Sequence, residues 1–232
     1  MKIICTICAR GGSKGLKNKN IRELHGKPLI AHTIVQAQLT DIFDAISVSS
    51  DSKDILNVSS DYGIKNLIKR PYKLATDQAS KLSTIRHCLK VTEEITEKKF
   101  DVIVDLDVTS PLRSTDDIKN AVNLLEEGDV SNVITGVTAR RSPYFNMVEL
   151  DKNGIARLPK QPSSKFFRRQ DSPKCYDMNA SIYVWKRNCL LKCDSIWNEK
   201  TRLYVMSEET MDIDSELDFE IIEFLMCRKQ KQ

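Results

Sequence analysis

Two stretches of this chain carry residue types that do chemistry. The first is Ile7-Cys8-Ala9-Arg10-Gly11-Gly12-Ser13-Lys14-Gly15-Leu16-Lys17-Asn18-Lys19-Asn20. Its closely spaced glycines let the backbone turn tightly and approach a ligand with no Cβ in the way. Arg10, Lys14, Lys17 and Lys19 surround the N–H groups so exposed. A concave loop of free N–H donors with basic side chains suits a polyphosphate. The second stretch is Met211-Asp212-Ile213-Asp214-Ser215-Glu216-Leu217-Asp218. In extended backbone, residues two apart share a face, so Asp212 and Asp214 can hold one cation together. Hard carboxylate oxygens with room for water and phosphate suit Mg²⁺. Aspartates at this spacing also commonly cap a surface helix. Beside a phosphate loop, the metal reading is the one we adopt.

The loop matches neither of two standard phosphate-binding patterns. A Walker loop requires Gly-x-x-x-x-Gly-Lys-Ser/Thr, whereas Gly15 is followed by Leu16. The dinucleotide fingerprint Gly-x-Gly-x-x-Gly does not fit the spacing of Gly11, Gly12 and Gly15, which argues against a nicotinamide-dependent dehydrogenase. The plain alternative is a Gly-rich turn between strand and helix with a solvated basic rim.

The elements that must position these residues alternate. Ile3 to Ile7 is an apolar run with the length of a buried strand. Gly26-Lys27-Pro28 leads into Leu29, Ile30, Ile34 and Ala37 at helical period, with Pro in the permitted first turn. Ala45 to Ser50 reads as a strand with Asp51 at its end, followed by a helix around Ile55, Leu56 and Val58 that Tyr62-Gly63 closes. Asn66 to Lys69 is a strand ending at Arg70-Pro71, and Leu82, Ile85, Leu89 and Thr92 mark a long helix. Asp101 to Leu106 is the clearest strand; Thr115-Asp116-Asp117 opens a helix over Ile118, Ala121, Val122 and Leu125, and Asn132 to Val137 is a further strand. Ala180 to Trp185 and Arg202 to Val205 read as strands. Ser215 with Asp218 forms a capping box for a helix with Leu217, Ile221, Phe224 and Leu225 on one face. Alternating strands and helices predict an α/β, doubly wound, mostly parallel sheet. Ligands of such sheets sit beyond the carboxyl ends of the strands, and Arg10, Asp51, Arg70, Asp107 and Arg113 all fall just after predicted strands.

Residues 139–177 change character, with Pro, Ser and basic residues (Arg140, Arg141, Lys160, Lys165, Arg168, Arg169) and short β-like pieces. This reads either as a flexible insertion or as an arm. The remaining 1–138 and 178–232 make one α/β domain.

At 232 residues, 41% hydrophobic and 29% charged, the chain has the composition of a globular protein with a full core. A net charge of +4 and 6% aromatic residues do not favour nucleic acid. No apolar run reaches membrane-span length, and the short apolar run after Met1-Lys2 is not a secretory leader. The expected location is the cytoplasm. Cys5-x-x-Cys8 lies in a strand, where residues three apart point to opposite faces. Cys189 and Cys193 lack zinc-ribbon partners. The cysteines are read as core or surface residues, and His25, His32 and His87 form no ligand cluster.

Read as Ile-x-Ala-Arg-Gly-Gly-Ser-Lys-Gly-x-x-Asn-Lys-Asn, the loop resembles the signature of the acylneuraminate cytidylyltransferases. Further matches follow in the family's order: Arg70-Pro71 with Leu74-Ala75 and Asp77, Thr109-Ser110-Pro111-Leu112-Arg113, Arg169-Gln170, Asn179-Ala180-Ser181-Ile182-Tyr183 and Asp212 to Asp218. The resemblance implies a Rossmann-like nucleotidyltransferase with a small dimerisation arm at 139–177. It implies transfer of CMP from CTP to the anomeric hydroxyl of a nine-carbon 2-keto sugar acid, with release of pyrophosphate and with Mg²⁺ or Mn²⁺ as cofactor. Carried over, Arg10, Lys19 and Asp214 are the catalytic residues, the first two on the triphosphate. Asp212 and Asp214 are the metal ligands. Asn20 contacts the nucleotide and Arg70 reads the cytosine edge; Gly11, Gly12, Ser13 and Ala79 are among the substrate-binding positions. Arg169, Asn179 and Tyr183 face the sugar acid, Arg169 near its carboxylate. The arm implies a homodimer through residues around 140–175, with neither nucleic acid nor membrane as a partner.

The chain departs from the sialic-acid branch at several positions. Asp107, counted with the substrate-binding residues, stands where that branch has Gln, Lys81 where it has Ser, Phe145 where it has a basic residue and Ala180 where it has Gly. Asp105-Leu106-Asp107-Val108-Thr109, Ala139 to Asn146 and Lys174 to Ser181 are similar instead to the bacterial CMP-legionaminic acid synthetases. Legionaminic acid lacks the C9 hydroxyl and carries a second acylamino group, so the resemblance implies N,N′-diacetyllegionaminic acid, with N-acetylneuraminic or another ulosonic acid as the alternative. Asp107 can also supply a further metal ligand. A non-catalytic nucleotide-binding module is the alternative of another class, and Arg10, Lys19, Asp212 and Asp214 together argue against it.

Overall fold

In a computed structural model of the chain, residues 1–12, 15–161, 168–206 and 211–229 are described, the side chains of Arg169 and Lys229 apart. Seven strands form the main sheet: β1 (Ile3–Cys8), β2 (Ala45–Ser50), β3 (Asn66–Lys69), β4 (Val102–Leu106), β5 (Asn132–Thr138), β6 (Tyr176–Lys186) and β7 (Thr201–Val205). Their order across the sheet is β7-β5-β6-β4-β1-β2-β3. β6 runs antiparallel to both β4 and β5, and the other neighbouring pairs are parallel.

The central strands are buried on both faces, which is why they read as unbroken apolar runs. Alternation along β1 sends its side chains into two separate cores. Ile3, Cys5 and Ile7 pack with α1 (Leu29–Thr40), α2 (Lys53–Asp61), α4 (Thr115–Glu126) and α6 (Glu216–Lys229), through Ile34, Ile55, Ile118 and Ile222 among others. Ile4 packs on the other face with α3 (Lys81–Thr96) and α5 (Arg187–Lys192), through Leu82, Ile85, Leu89 and Leu190, together with Trp185 of β6. Cys5 and Cys8 fall on these opposite faces, as strand geometry requires.

Polar caps fix where the helices start. Ser52, Ser80 and Ser114 each accept a backbone N–H of the first turn, and Ser114 with Asp117 completes a capping box. A second box opens α6, where Ser215 N–H donates to Asp218 Oδ2 at 2.7 Å and Asp218 N–H to Ser215 Oγ at 3.3 Å. The face of α6 differs from the sequence expectation. Phe219 and Ile222 enter the core and Leu225, of the expected face, packs against it partly buried, whereas Leu217, Ile221 and Phe224 are exposed. Apolar residues occupy both sides of this helix, so periodicity alone picked the wrong one.

β6 also starts earlier than expected, at Tyr176, and its register against β5 shifts between Asn179 and Tyr183. Between β5 and β6 lies a small antiparallel hairpin, Glu149–Leu150 with Ala156–Arg157. Its surroundings leave Met147, Val148, Leu150 and Ile155 exposed.

From β1 the chain winds outward through β2 and β3, then returns to β4 on the other side of β1. The loops after β1 and β4 therefore part from one another, and a crevice opens between them at the carboxyl ends of the strands.

Candidate active site

Three segments converge on that crevice. The loop after β1 is anchored by its own backbone: Gly11 N–H donates to Asp51 Oδ1 at 2.9 Å, and Asn20 Nδ2 donates to the Arg10 carbonyl at 2.9 Å. Gly15 presses against the aspartate segment so closely that a Cβ there would collide with the Asp214 carbonyl oxygen. Lys19 reaches the same segment, donating to the Ile213 carbonyl and to Asp214 Oδ1, the latter at 3.2 Å. The aspartate segment is in turn tied to the loop after β4, because Ile213 N–H donates to the Thr109 carbonyl at 3.0 Å.

These segments enclose a cavity of about 570 Å³. Arg10, Lys19, Asn20, Arg70, Ala79, Asp107 and Asp214 all line it, so residues from four distant parts of the chain share one space. Each of these cations is held by an anion or a carbonyl. Arg10 Nη1 lies 2.6 Å from Asp77 Oδ1, Lys19 holds Asp214, and the buried Arg70 donates to Ser49 Oγ (3.3 Å) and to the Ser49 carbonyl (2.6 Å). A triphosphate would replace carboxylates at Arg10 and Lys19, whereas Arg70 is braced to β2 and presents a fixed edge.

Asp214 lines the cavity, whereas Asp212, on the other flank of the fully buried Ile213, is half-buried and falls outside the lining. Asp212 Oδ1 accepts from Ser110 Oγ at 2.6 Å. Burial raises its carboxyl above the ordinary range; the negative charges of Asp107 and Asp214 add to this and the Ser110 hydroxyl opposes it. A half-buried carboxylate made costly to ionise is a setting a cation relieves. Among the described residues no group of three or more His, Cys, Asp or Glu could hold a metal. Asp212 and Asp214 supply hard oxygen donors of the kind that suits Mg²⁺.

A second charged cluster lines the cavity beside β4. Lys81 Nζ lies 2.7 Å from Asp107 Oδ2 and 3.4 Å from Asp105 Oδ2, above the Tyr183 ring at 4.4 Å from its centroid. Burial opposes charge on Lys81, but Asp107 and Asp105 outweigh it and hold the ammonium above its ordinary value. Burial likewise pushes Asp107 up, yet Lys81 and the Thr109 donors bring it down to about 2. Asp105, buried deeper, is raised by that burial despite Lys81 and Thr6. Asp107 Oδ1 accepts from Thr109 N–H and Oγ1–H, and Oδ2 from Lys81.

Other expected residues fall outside the cavity lining. Tyr183 is buried beneath Lys81. Asn179 is also buried, its Oδ1 accepting from Thr135 Oγ1 at 2.6 Å. Gly11 packs against Ser52, and a Cβ at Gly12 would meet open space. Ser13 lies outside the described residues; Arg169 begins a short 3₁₀ turn, Arg169–Asp171, and its side chain is likewise outside them. Arg113 is a brace rather than a free cation: buried, it donates to the Ser181 and Asp107 carbonyls and to Thr33 Oγ1. Burial lowers its guanidinium to about 10. Sequence reasoning did not count Asp105 and Asp77 as site residues. An acid inside the apolar run of β4 was the available signal for Asp105, and a place in the loop motif was the signal for Asp77.

The family model for cytidylyltransferases matches residues 4–231. A CMP-N,N′-diacetyllegionaminic acid synthase of Campylobacter jejuni is 49% identical over 98% of this chain and 96% of its own length. A post-translational flagellin modification protein B of Campylobacter coli is 46% identical over 100% of this chain and 97% of its own. Among solved structures, a CMP:2-keto-3-deoxy-manno-octonic acid synthetase complexed with CTP superimposes with a TM-score of 0.70 at 17% identity, covering 99% of this chain and 100% of that one. At that identity the likeness establishes the shared fold.

Proposed function

The chain belongs to the cytidylyltransferase family, and from that premise we propose that it transfers CMP from CTP to the anomeric hydroxyl of N,N′-diacetyllegionaminic acid, releasing pyrophosphate. The observation that carries this reading is the convergence of Arg10, Lys19, Asn20, Arg70, Ala79 and Asp214 on one cavity at the switch point of the sheet. The relative named for that sugar acid, at 49% identity over nearly the full length, supports the choice of acceptor.

In this reading Arg10 and Lys19 exchange Asp77 and Asp214 for the triphosphate and neutralise charge as pyrophosphate departs. Transfer of this kind depends mainly on positioning and charge stabilisation. Arg70, fixed by Ser49, meets the cytosine, and Asn20 holds the loop through the Arg10 carbonyl. Asp212 and Asp214 hold Mg²⁺ (or Mn²⁺), which when bound supplies charge neutralisation and lowers the pKa of a coordinated hydroxyl. Ser110 orients Asp212, and the Asp218 carboxylate orients Asp214 by accepting its N–H at 3.1 Å. Residues 139–177 form the arm of a homodimer in the same proposal, with Phe145, Met147, Val148, Leu150 and Ile155 as the exposed apolar side chains a second subunit would cover. The enzyme works in the cytoplasm, where CTP is available.

The test is pyrophosphate release with Mg²⁺ and CTP, UTP, ATP or GTP, against N-acetylneuraminic, N,N′-diacetyllegionaminic and pseudaminic acids and a 3-deoxy-octulosonic acid. Turnover with CTP and preference for the legionaminic acid is the expected result. Preference for N-acetylneuraminic acid would retain the chemistry and overturn the acceptor. CTP binding without turnover on any acid would leave only a nucleotide-binding module.

A further inference from the structure

Lys81 and Asp107, 26 positions apart in the chain, are brought by the fold into one ion pair. Lys81 is the first residue of α3, directly behind its Ser80 cap. The helix start thus aims its side chain across the carboxyl end of β4, where Asp105 and Asp107 stand. The oxygens of both carboxylates are already engaged. Asp105 Oδ1 accepts from Thr6 Oγ1 at 2.7 Å and its Oδ2 faces Lys81, while Asp107 is held by Lys81 and Thr109. The ammonium is the member with capacity to spare. It carries three N–H donors, two of them directed at carboxylates, and the side chain is 32% exposed and lines the same cavity as Arg10 and Arg70.

Position decides which half of the reaction such a donor meets. Arg10 follows β1 and Arg70 follows β3, on one side of the switch point; Lys81 lies over β4 and β6 on the other. Its charge is matched by Asp107 at 2.7 Å, so the pair does not draw in another anion strongly. Held from behind by the buried Tyr183 ring, it presents a directed N–H donor to the cavity, which suits a neutral acceptor. The carbonyl oxygen of an acylamino substituent has that character.

We propose that Lys81 is a specificity-determining residue for the sugar acid, its ammonium donating to the carbonyl oxygen of an acylamino substituent while Asp107 and Asp105 act as positioning residues. The assignment rests on the function proposed above and names the group that distinguishes its acceptor. Asp107 then acts through Lys81 rather than by touching the sugar.

Steady-state pyrophosphate release by the full chain tests this, with KM for CTP and for each sugar acid measured separately. For Lys81→Met, KM for N,N′-diacetyllegionaminic acid is expected to rise about 10- to 100-fold, the range for a lost hydrogen bond from a charged donor, with KM for CTP within about twofold of wild type. Asp107→Asn is expected to raise the same sugar KM by a smaller factor. The double change Lys81→Ser with Asp107→Gln is expected to shift preference toward N-acetylneuraminic acid. Lys81→Gln, which keeps an N–H donor without the charge, carries the test if the Met variant does not fold, with an intermediate rise expected. A KM for CTP that rises while the sugar KM and the preference stay unchanged overturns the assignment alone. Absence of turnover by the unsubstituted enzyme on every sugar acid overturns the functional reading and this assignment with it.

Discussion

Gly15→Ala probes the contact by which the phosphate loop and the aspartate segment locate one another. A Cβ at this position would collide with the Asp214 carbonyl oxygen, a backbone atom that cannot swing aside. The segment is pinned on both flanks, by Ile213 N–H to the Thr109 carbonyl (3.0 Å) and by Asp214 N–H to Asp218 Oδ2 (3.1 Å). Relieving the overlap therefore moves loop and segment apart by about 1 Å, and misplacement on that scale costs roughly 100-fold in rate. Lys19 travels with the loop, so its reach to Asp214 Oδ1, now 3.2 Å, lengthens as well. Overpacking of this kind costs about 1–3 kcal/mol, which for a chain of this size is a Tm lower by roughly 2–10 °C. The assay is kcat/KM for CTP by pyrophosphate release across a Mg²⁺ titration, paired with thermal unfolding. The expected outcome is a loss of about 100-fold in kcat/KM, a higher Mg²⁺ requirement and the lower Tm. Gly12→Ala, where a Cβ meets open space, keeps the wild-type Tm. A Gly15→Ala enzyme with unchanged kcat/KM and Tm refutes the contact as a determinant of the site.

Two further outcomes are expected. Asp212→Asn and Asp214→Asn should each lower kcat by about 10²- to 10³-fold, on the scale of a lost charge-stabilising group, and raise the Mg²⁺ concentration needed for half-maximal rate; an unchanged Mg²⁺ profile contradicts their role as ligands. Away from the site, burial pushes Glu93 up, but Arg187, Lys99 and the Phe100 N–H bring it down to about 2. A carboxylate with a depressed folded pKa stabilises above its unfolded value, near ~4.3, and that stability is lost as pH falls toward the folded value. Glu93→Gln should therefore cost about 3 kcal/mol at neutral pH, with the gap to wild type in urea unfolding shrinking as pH falls from about 4 to about 2; a gap independent of pH contradicts the ion-pair account.

The elements of the sheet were legible because each obeys a local rule. β1 and β4 are apolar runs bounded by turns, and the serine caps before α2, α3 and α4 satisfy backbone donors within a few residues of themselves. α6 was legible as a helix but not in its orientation, because Phe219 and Ile222 on one side and Leu217, Ile221 and Phe224 on the other are equally apolar. Which side is buried depends on what packs against it. Arg113 showed the same limit: after a predicted strand it reads as a free cation at the ligand edge, yet its donors are spent on the Ser181 and Asp107 carbonyls.

By itself the sequence determined the order of strands and helices, the loop of glycines and cations after β1, and the presence of two aspartates either side of Ile213. These are patterns over a few residues. Only the tertiary structure decided that Gly15 bears on Asp214, that Arg10 is held by Asp77, and that Lys81 is clamped between Asp105 and Asp107 above Tyr183. Those contacts join residues tens to nearly two hundred positions apart. Their distances are set by how β4 returns beside β1 and how β6 inserts antiparallel between β4 and β5, and no local pattern in the chain encodes that packing.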